Sequence, residues 1–288
     1  MSRTGGWIGP LPDRNGRTLL AAAMDPDPDR ATRALDRWWR GRDPADVPGT
    51  HLEVAAAAGE RLGDPPGVRS AVRSWRRWAT ARSLLGEELG RRLVAASVAR
   101  GVVATPRGDL ATLALAGDAP WRSYVRGLEL ELAAGTTAGA RARATGVRDV
   151  LVGLAGDAPG VPVALTLVPG DAPGGPDAAA HGVSLLRRDW ARRPPGGLRW
   201  LLDLRATLGP TGAPDATAIA RLRAAVESQG QRWLIVALGC ALEVLGDAMR
   251  IPLPVVDDAA TRRGIRRRTA LLSVAAGPPL SRLRRSAS

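Results

Sequence analysis

GVVATPRGDLATLALAGDAPWRSYVRGLELELA, residues Gly101 to Ala133, changes texture several times within one short stretch. A brief apolar run, Val102 to Thr105, leads into Arg107-Gly108. A helix-sized segment follows, then a loop rich in arginine and aromatics, then the alternating run Leu128-Glu129-Leu130-Glu131-Leu132. Side chains two apart on a strand share a face. Glu129 and Glu131 are therefore expected to project together while the leucines pack on the other side. Two carboxylates on one strand face, behind a glycine turn that bears a cation, suit a divalent metal ion and a phosphorylated substrate.

Outward from this stretch the chain reads as helical on both sides. Upstream, Val68 to Arg100 keeps a helical period through Trp75, Trp78, Ala79, Leu85, Leu89 and Leu93, and Gly101 is placed to end it. Before that, Asp27-Pro28 supplies a cap and a proline for the first turn of a helix carrying Ala31, Leu35, Trp38 and Trp39. Shorter helices are expected at Arg17 to Met24 and His51 to Leu62. Downstream, β-like runs are expected at Asp149 to Leu154 and Val161 to Val168, with a small helix at Thr137 to Thr145. Asp171 to Pro176 reads as a linker. Helices then follow at about 178–193, 198–208, 215–228, 231–249 and 257–275. The fold class is α+β, with a small mixed sheet between two helical regions. The expected divisions are 1–100 (helical), 101–170 (α/β core), 171–276 (helical) and 277–288 (basic tail).

Composition narrows the function classes. The 288 residues carry a net charge of +13, every cation is arginine, and Asn15 is the sole asparagine. Lysine, asparagine, phenylalanine and tyrosine have AT-rich codons, so a GC-rich genome accounts for the bias without any functional cause. Eight arginines between Arg262 and Arg285 face only Asp257 and Asp258 near the C-terminus, a surface that could meet nucleic acid. Cys240, the single cysteine, lies in the apolar run Leu234 to Leu242 and reads as a core residue, which fits a reducing cytoplasm. The longest uncharged apolar run, Trp233 to Leu242, is far short of the roughly 20 residues that span a bilayer. A cytoplasmic protein without a membrane partner is expected.

The order of these features resembles a bacterial nucleotidyltransferase-like family of the DNA polymerase β superfold. There a long helix ends in glycine, a strand runs into Leu-Lys-Gly, and a helix and an arginine-containing loop precede a strand bearing Asp-x-Asp. Here Gly101-Val102-Val103 begins the pattern and Arg107-Gly108 stands at Lys-Gly. Trp121-Arg122 to Arg126 occupies the loop, and Glu129-Leu130-Glu131 stands at Asp-x-Asp. Leu198 to Leu204 and the run Leu242-Glu243-Val244-Leu245-Gly246 with Ile251-Pro252-Leu253-Pro254 are similar to the family's later helices. The resemblance implies a sheet of nucleotidyltransferase type. It implies Glu129 and Glu131 as catalytic metal ligands, and Arg107, Gly108, Arg122 and Arg126 as the nucleotide-binding set.

Three departures point to a degenerate member. Glutamate replaces aspartate twice, and Mg²⁺ tolerates little displacement of its ligands. Arginine replaces the compact lysine ammonium. The third carboxylate, expected on a later strand, is missing: Ala164 occupies its place in Val163-Ala164-Leu165-Thr166-Leu167. Asp149 or Asp171 could substitute only if the fold brought one near. A competing alignment sets Ser97-Val98-Ala99-Arg100-Gly101 against the Gly-Ser-x-Ala-Arg-Gly turn of minimal nucleotidyltransferases, with Asp109 downstream.

Three functions follow. One is an impaired nucleotidyltransferase-like accessory protein that binds an NTP, a peptide or a protein, with modified-peptide biosynthesis as the setting the resemblance implies. Another is a working enzyme in which Glu129 and Glu131 hold Mg²⁺ or Mn²⁺ and the arginines clamp a triphosphate. The last is a basic module that holds nucleic acid through the C-terminus. Plainer readings stand beside them: an acidic solvated strand face for the glutamates, surface charge for the arginines, and structural roles for His51, His181 and Asp203.

Overall fold

A computed structural model describes residues 11–12, 14–43, 47, 49–63, 70–117, 124–156, 160–170, 177–191, 198–209 and 214–253. Four helices come first: α1 (Arg14–Met24), α2 (Pro28–Trp39), α3 (Gly49–Leu62) and α4 (Ser70–Val98). The chain then alternates through β1 (Ala104–Arg107), α5 (Gly108–Ala116), β2 (Leu128–Ala133), α6 (Ala138–Gly156) and β3 (Val163–Val168). It continues through α7 (Ala178–Ala191), α8 (Arg199–Thr207), α9 (Ala216–Glu227) and α10 (Arg232–Met249). The described residues are thus mostly helical around one small mixed sheet, an α+β fold as the sequence leads one to expect.

Local chemistry sets the helix ends. The Asp27 carboxylate accepts the amides of Asp29 and Arg30 at 2.9 and 3.1 Å, and Pro28 opens α2 without an unsatisfied N–H. After α4, Gly101 turns to φ 69°, and the amide of Val102 returns to the Ser97 carbonyl at 3.1 Å. The fully buried Ser97 hydroxyl donates to the Val102 carbonyl at 2.7 Å, so this serine secures the end of a helix.

In the sheet, β2 is central, antiparallel to β1 and parallel to β3. Pro106 lies on edge strand β1, where a missing N–H is tolerated. Leu128, Leu130 and Leu132 turn into a core with Leu89 and Leu93 of α4 and Ala144, Val147 and Leu151 of α6. Burial of each leucine contributes about 2 kcal/mol. A second core joins α1–α3 to α7–α10, through Leu20, Leu35, Trp38, Leu186, Leu201 and Leu238 among others. The helices of the two chain ends therefore share one interior, while α4 goes with the sheet. Helix α5 touches both, with Leu110 in the sheet core and Ala116 in the helical one.

Two expectations are corrected. The small helix at Thr137 to Thr145 and the strand at Asp149 to Leu154 are one helix, α6. Its buried residues Ala144, Val147 and Leu151 recur at helical spacing, whereas Val150 and Val152 are exposed. The apolar stripe of α4 is also not continuous core. Trp78 and Leu85 are 56% and 63% exposed, whereas Ala79, Leu89 and Leu93 of the same stripe are buried. Trp75 meets Tyr124 edge to face at 5.7 Å, and Arg82 lies 5.3 Å over the Trp78 ring.

No helix among the described residues is long and apolar enough to cross a membrane. Cys240 is buried, as expected. Trp121, Arg122, Asp171, the linker at 171–176, the helix at 257–275 and the basic tail at 277–288 lie outside the described residues.

Candidate functional site

Register assembles the polar face of the sheet. Arg107 lies opposite Glu129 and Thr105 opposite Glu131, while β3 sets Ala164 beside Glu129 and Thr166 beside Glu131. Glu129, Ala164 and Thr166 are exposed, Arg107 and Glu131 are half-buried, and Thr105 is wholly buried. Long side chains at diagonal cross-strand positions reach one another. The Arg107 guanidinium does so and stands 2.6 Å from the Glu131 carboxylate. The turn cation therefore occupies one of the two acids.

The other acid is held by the turn itself. Gly108 adopts φ +54°, and a Cβ there would sit 2.9 Å from the Glu129 carboxyl carbon and within 3.0 and 3.1 Å of its oxygens. Only glycine supplies both this backbone conformation and this close approach. The Glu129 carboxylate is thereby seated against the first turn of α5, where unpaired amides favour negative charge.

Among the described residues this face supplies few of the several well-placed oxygen donors that Mg²⁺ or Mn²⁺ needs. Glu131 is already paired and Ala164 offers no donor atom. Asp149 is exposed on α6, paired with its neighbour Arg148 at 3.1 Å. Among the described residues no group of three His, Cys, Asp or Glu is placed to hold an ion.

Arg126 belongs to a different assembly. Its backbone amide donates to the Asp109 carboxylate at 2.8 Å and its guanidinium lies 3.4 Å from the same group. Arg199, 3% exposed, stands 3.1 Å from Asp109, 3.5 Å from Glu53 and 3.6 Å from Asp203. Five charges from α3, α5, the segment before β2 and α8 thus meet in one cluster. Burial raises the pKa of Asp109, but the charges of Arg199 and Arg126 outweigh it and hold the carboxyl below its ordinary value. For Glu53 burial prevails over the same two arginines, and its pKa is raised. Burial disfavours the charged form of Arg126, yet Asp109 and Glu53 more than compensate and its pKa is raised.

His181 adjoins this region. Its Nε2 is 2.8 Å from the Thr112 hydroxyl, which lies 3.3 Å from the Gly108 carbonyl. Burial pushes the imidazole down to about 4, against the pull of Asp203, so the ring is neutral near pH 7.

The structure therefore brings Arg107, Gly108, Glu129 and Glu131 together and places Arg126 in the buried cluster. Glu53 and Arg199 carry no motif. Their one signal is a charge inside an apolar stretch: Glu53 precedes Val54 to Ala58, and Arg199 is four residues from Asp203 in a helix whose residues are all buried. The chain matches no protein-family model, no curated protein and no solved structure.

Proposed function

We propose that the chain is a nucleotidyltransferase-like protein with a degenerate metal site, catalytically impaired, which binds a nucleotide or a partner as an accessory to biosynthetic enzymes. The succession α4–β1–α5–β2–α6–β3, with Arg107-Gly108 at the first turn and the acids on the middle strand, supports a sheet of nucleotidyltransferase type. The observation that carries impairment is the Arg107–Glu131 pair at 2.6 Å, with Ala164 in register beside Glu129. Two carboxylates against one guanidinium leave one net negative charge on the face. That is weak attraction for a divalent ion that must also shed water.

Calorimetry with ATP, GTP, CTP and UTP, with and without Mg²⁺ or Mn²⁺, tests this. Binding is expected to be the same, or equally absent, with and without metal and in Glu129→Gln. Metal-dependent binding that disappears in Glu129→Gln would sink the impaired reading and make the chain a working enzyme.

A further inference from the structure

A second concentration of charge is far from the acidic strand in sequence. A groove of about 520 Å³ lies between α1, α2 and the end of α10, none of which contributes a residue to the sheet face. Arg14 and Arg17 of α1, Arg30, Arg33 and Arg37 of α2, and Arg250 after α10 line it. The three α2 arginines and their counterparts on α1 follow the three- and four-residue spacing that keeps side chains on one helical face. Ala21, Ala34, Val244 and Ala248 form the apolar part of the lining.

Three acids oppose these six cations: Asp247 and Asp25 in the lining and Asp27 beside it, which pairs with Arg30 at 3.1 Å. Asp247 pairs with Arg17 at 3.1 Å, and the buried Asp25 pairs with Arg30 at 3.0 Å. Burial pushes the Asp25 carboxyl up, but Arg30, the Asp27 amide and the charge of Arg250 together hold it below its ordinary value. Six arginines less three aspartates leave a formal charge of +3. Arg14, Arg33, Arg37 and Arg250 form no ion pair with a described residue.

The backbone supplies an independent sign. Arg250 is the sole described residue other than glycine with positive φ, at φ 57° and ψ 33°. A left-handed cap ordinarily favours glycine or asparagine, and a side chain there is strained. A strained arginine aimed at a groove that already holds five others is poorly explained by solubility alone.

We propose that this groove binds a small anion bearing two or more linked phosphates. Guanidinium forks match phosphate oxygens, and several separated forks match several linked phosphates better than one. Among the described lining residues there is no aromatic ring and no amide side chain, so nothing there stacks on or reads a base. Recognition is of the oligophosphate itself. The groove is independent of the sheet site, and either proposal can fail without the other.

The test is calorimetry on the full chain at physiological salt with inorganic tripolyphosphate as probe, and with orthophosphate, ATP and a 20-nucleotide DNA strand as comparators. Tripolyphosphate is expected to bind one to one without metal, at least tenfold tighter than orthophosphate, with ATP close behind it. Arg33→Gln with Arg37→Gln is expected to weaken it at least tenfold, and Arg141→Gln, exposed on α6, to leave it unchanged. Arg250→Gly relieves the strained cap, so it is expected to raise the melting temperature and still weaken binding severalfold. That pairing separates a ligand contact from a structural role. Absent binding, equal affinity for orthophosphate, or full affinity in the folded double variant would each overturn the proposal. So would tighter binding of DNA that the double variant abolishes, which would make the groove a nucleic-acid contact.

Discussion

Arginine meets carboxylate in two places in this molecule, and the surroundings make them different objects. On the sheet, Arg107 and Glu131 form a half-exposed pair whose members can each return to water. Between α3, α5 and α8, Arg199 is 3% exposed and stands among Asp109, Glu53 and Asp203, which have no such alternative. Taking charges out of water costs several kcal/mol each, and only their partners repay it. The buried cluster is therefore a joint between parts of the fold, and removing a member strands the rest. The sheet pair is a surface on which a ligand can compete for either charge. Asp109, Glu53 and Arg126 all have shifted protonation inside the joint, so perturbation alone would have misdirected a search for function.

The largest effect that tests this contrast is expected from Arg199→Met. It takes the most buried cation away from Asp109, Glu53 and Asp203, and should cost about 3–5 kcal/mol in denaturant unfolding. A loss below 1 kcal/mol would show that water reaches the cluster and would erase the distinction.

Acid gives the next effect. His181 is neutral in the fold down to about pH 4, whereas in the unfolded chain it gains a proton near its ordinary value of 6.5. Between those values the unfolded chain holds the extra proton, so stability from this residue is complete above about pH 6.5 and falls on acidification. A shift of this size amounts to about 3 kcal/mol. Asp203 and Asp109 face the ring and favour its charged form, while Arg188 and Arg107 oppose it. Glu53, with its pKa raised, contributes a slope of opposite sign in an overlapping range. The readout is therefore the difference between wild type and His181→Gln in unfolding free energy from pH 4 to 7.5. Parallel profiles would mean that the imidazole is solvated.

Much of the fold could be read locally, because its signals are local. Asp27-Pro28 fixes the start of α2, Gly101 the end of α4, and the Leu-Glu alternation marks β2 with its faces assigned correctly. Failures came where local signals are degenerate. The valines of 147–152 suit a strand or a helix, and only packing of Val147 and Leu151 against the sheet core decides for α6. The stripe through Trp78 and Leu85 is helical, but periodicity does not tell which part of a long helix is covered. Of the candidate site, the shared face of Glu129 and Glu131 was legible from their spacing. The pairing of Arg107 with Glu131 was not, since it needs the register of β1 on β2. The cluster was hidden for the same reason: its members come from residues 53 to 203, and only Arg199 and Asp203 are near neighbours in sequence.

The smallest effect is the most informative about the sheet. Arg107→Gln removes the cation that is 2.6 Å from Glu131, in a pair whose side chains are 26% and 29% exposed. Solvent-accessible pairs of this kind contribute at most about 1 kcal/mol, so thermal or denaturant unfolding should shift only slightly. The electrostatic consequence is larger than the stability change, because the face then carries two uncompensated carboxylates. Mn²⁺ titration of the variant should consequently show weak binding that the wild type lacks, lost again when Glu129→Gln is added. A stability loss comparable to that of Arg199→Met would instead make Arg107 part of the buried joint. The acidic strand would then be scaffold, with no charge left for a ligand to exchange.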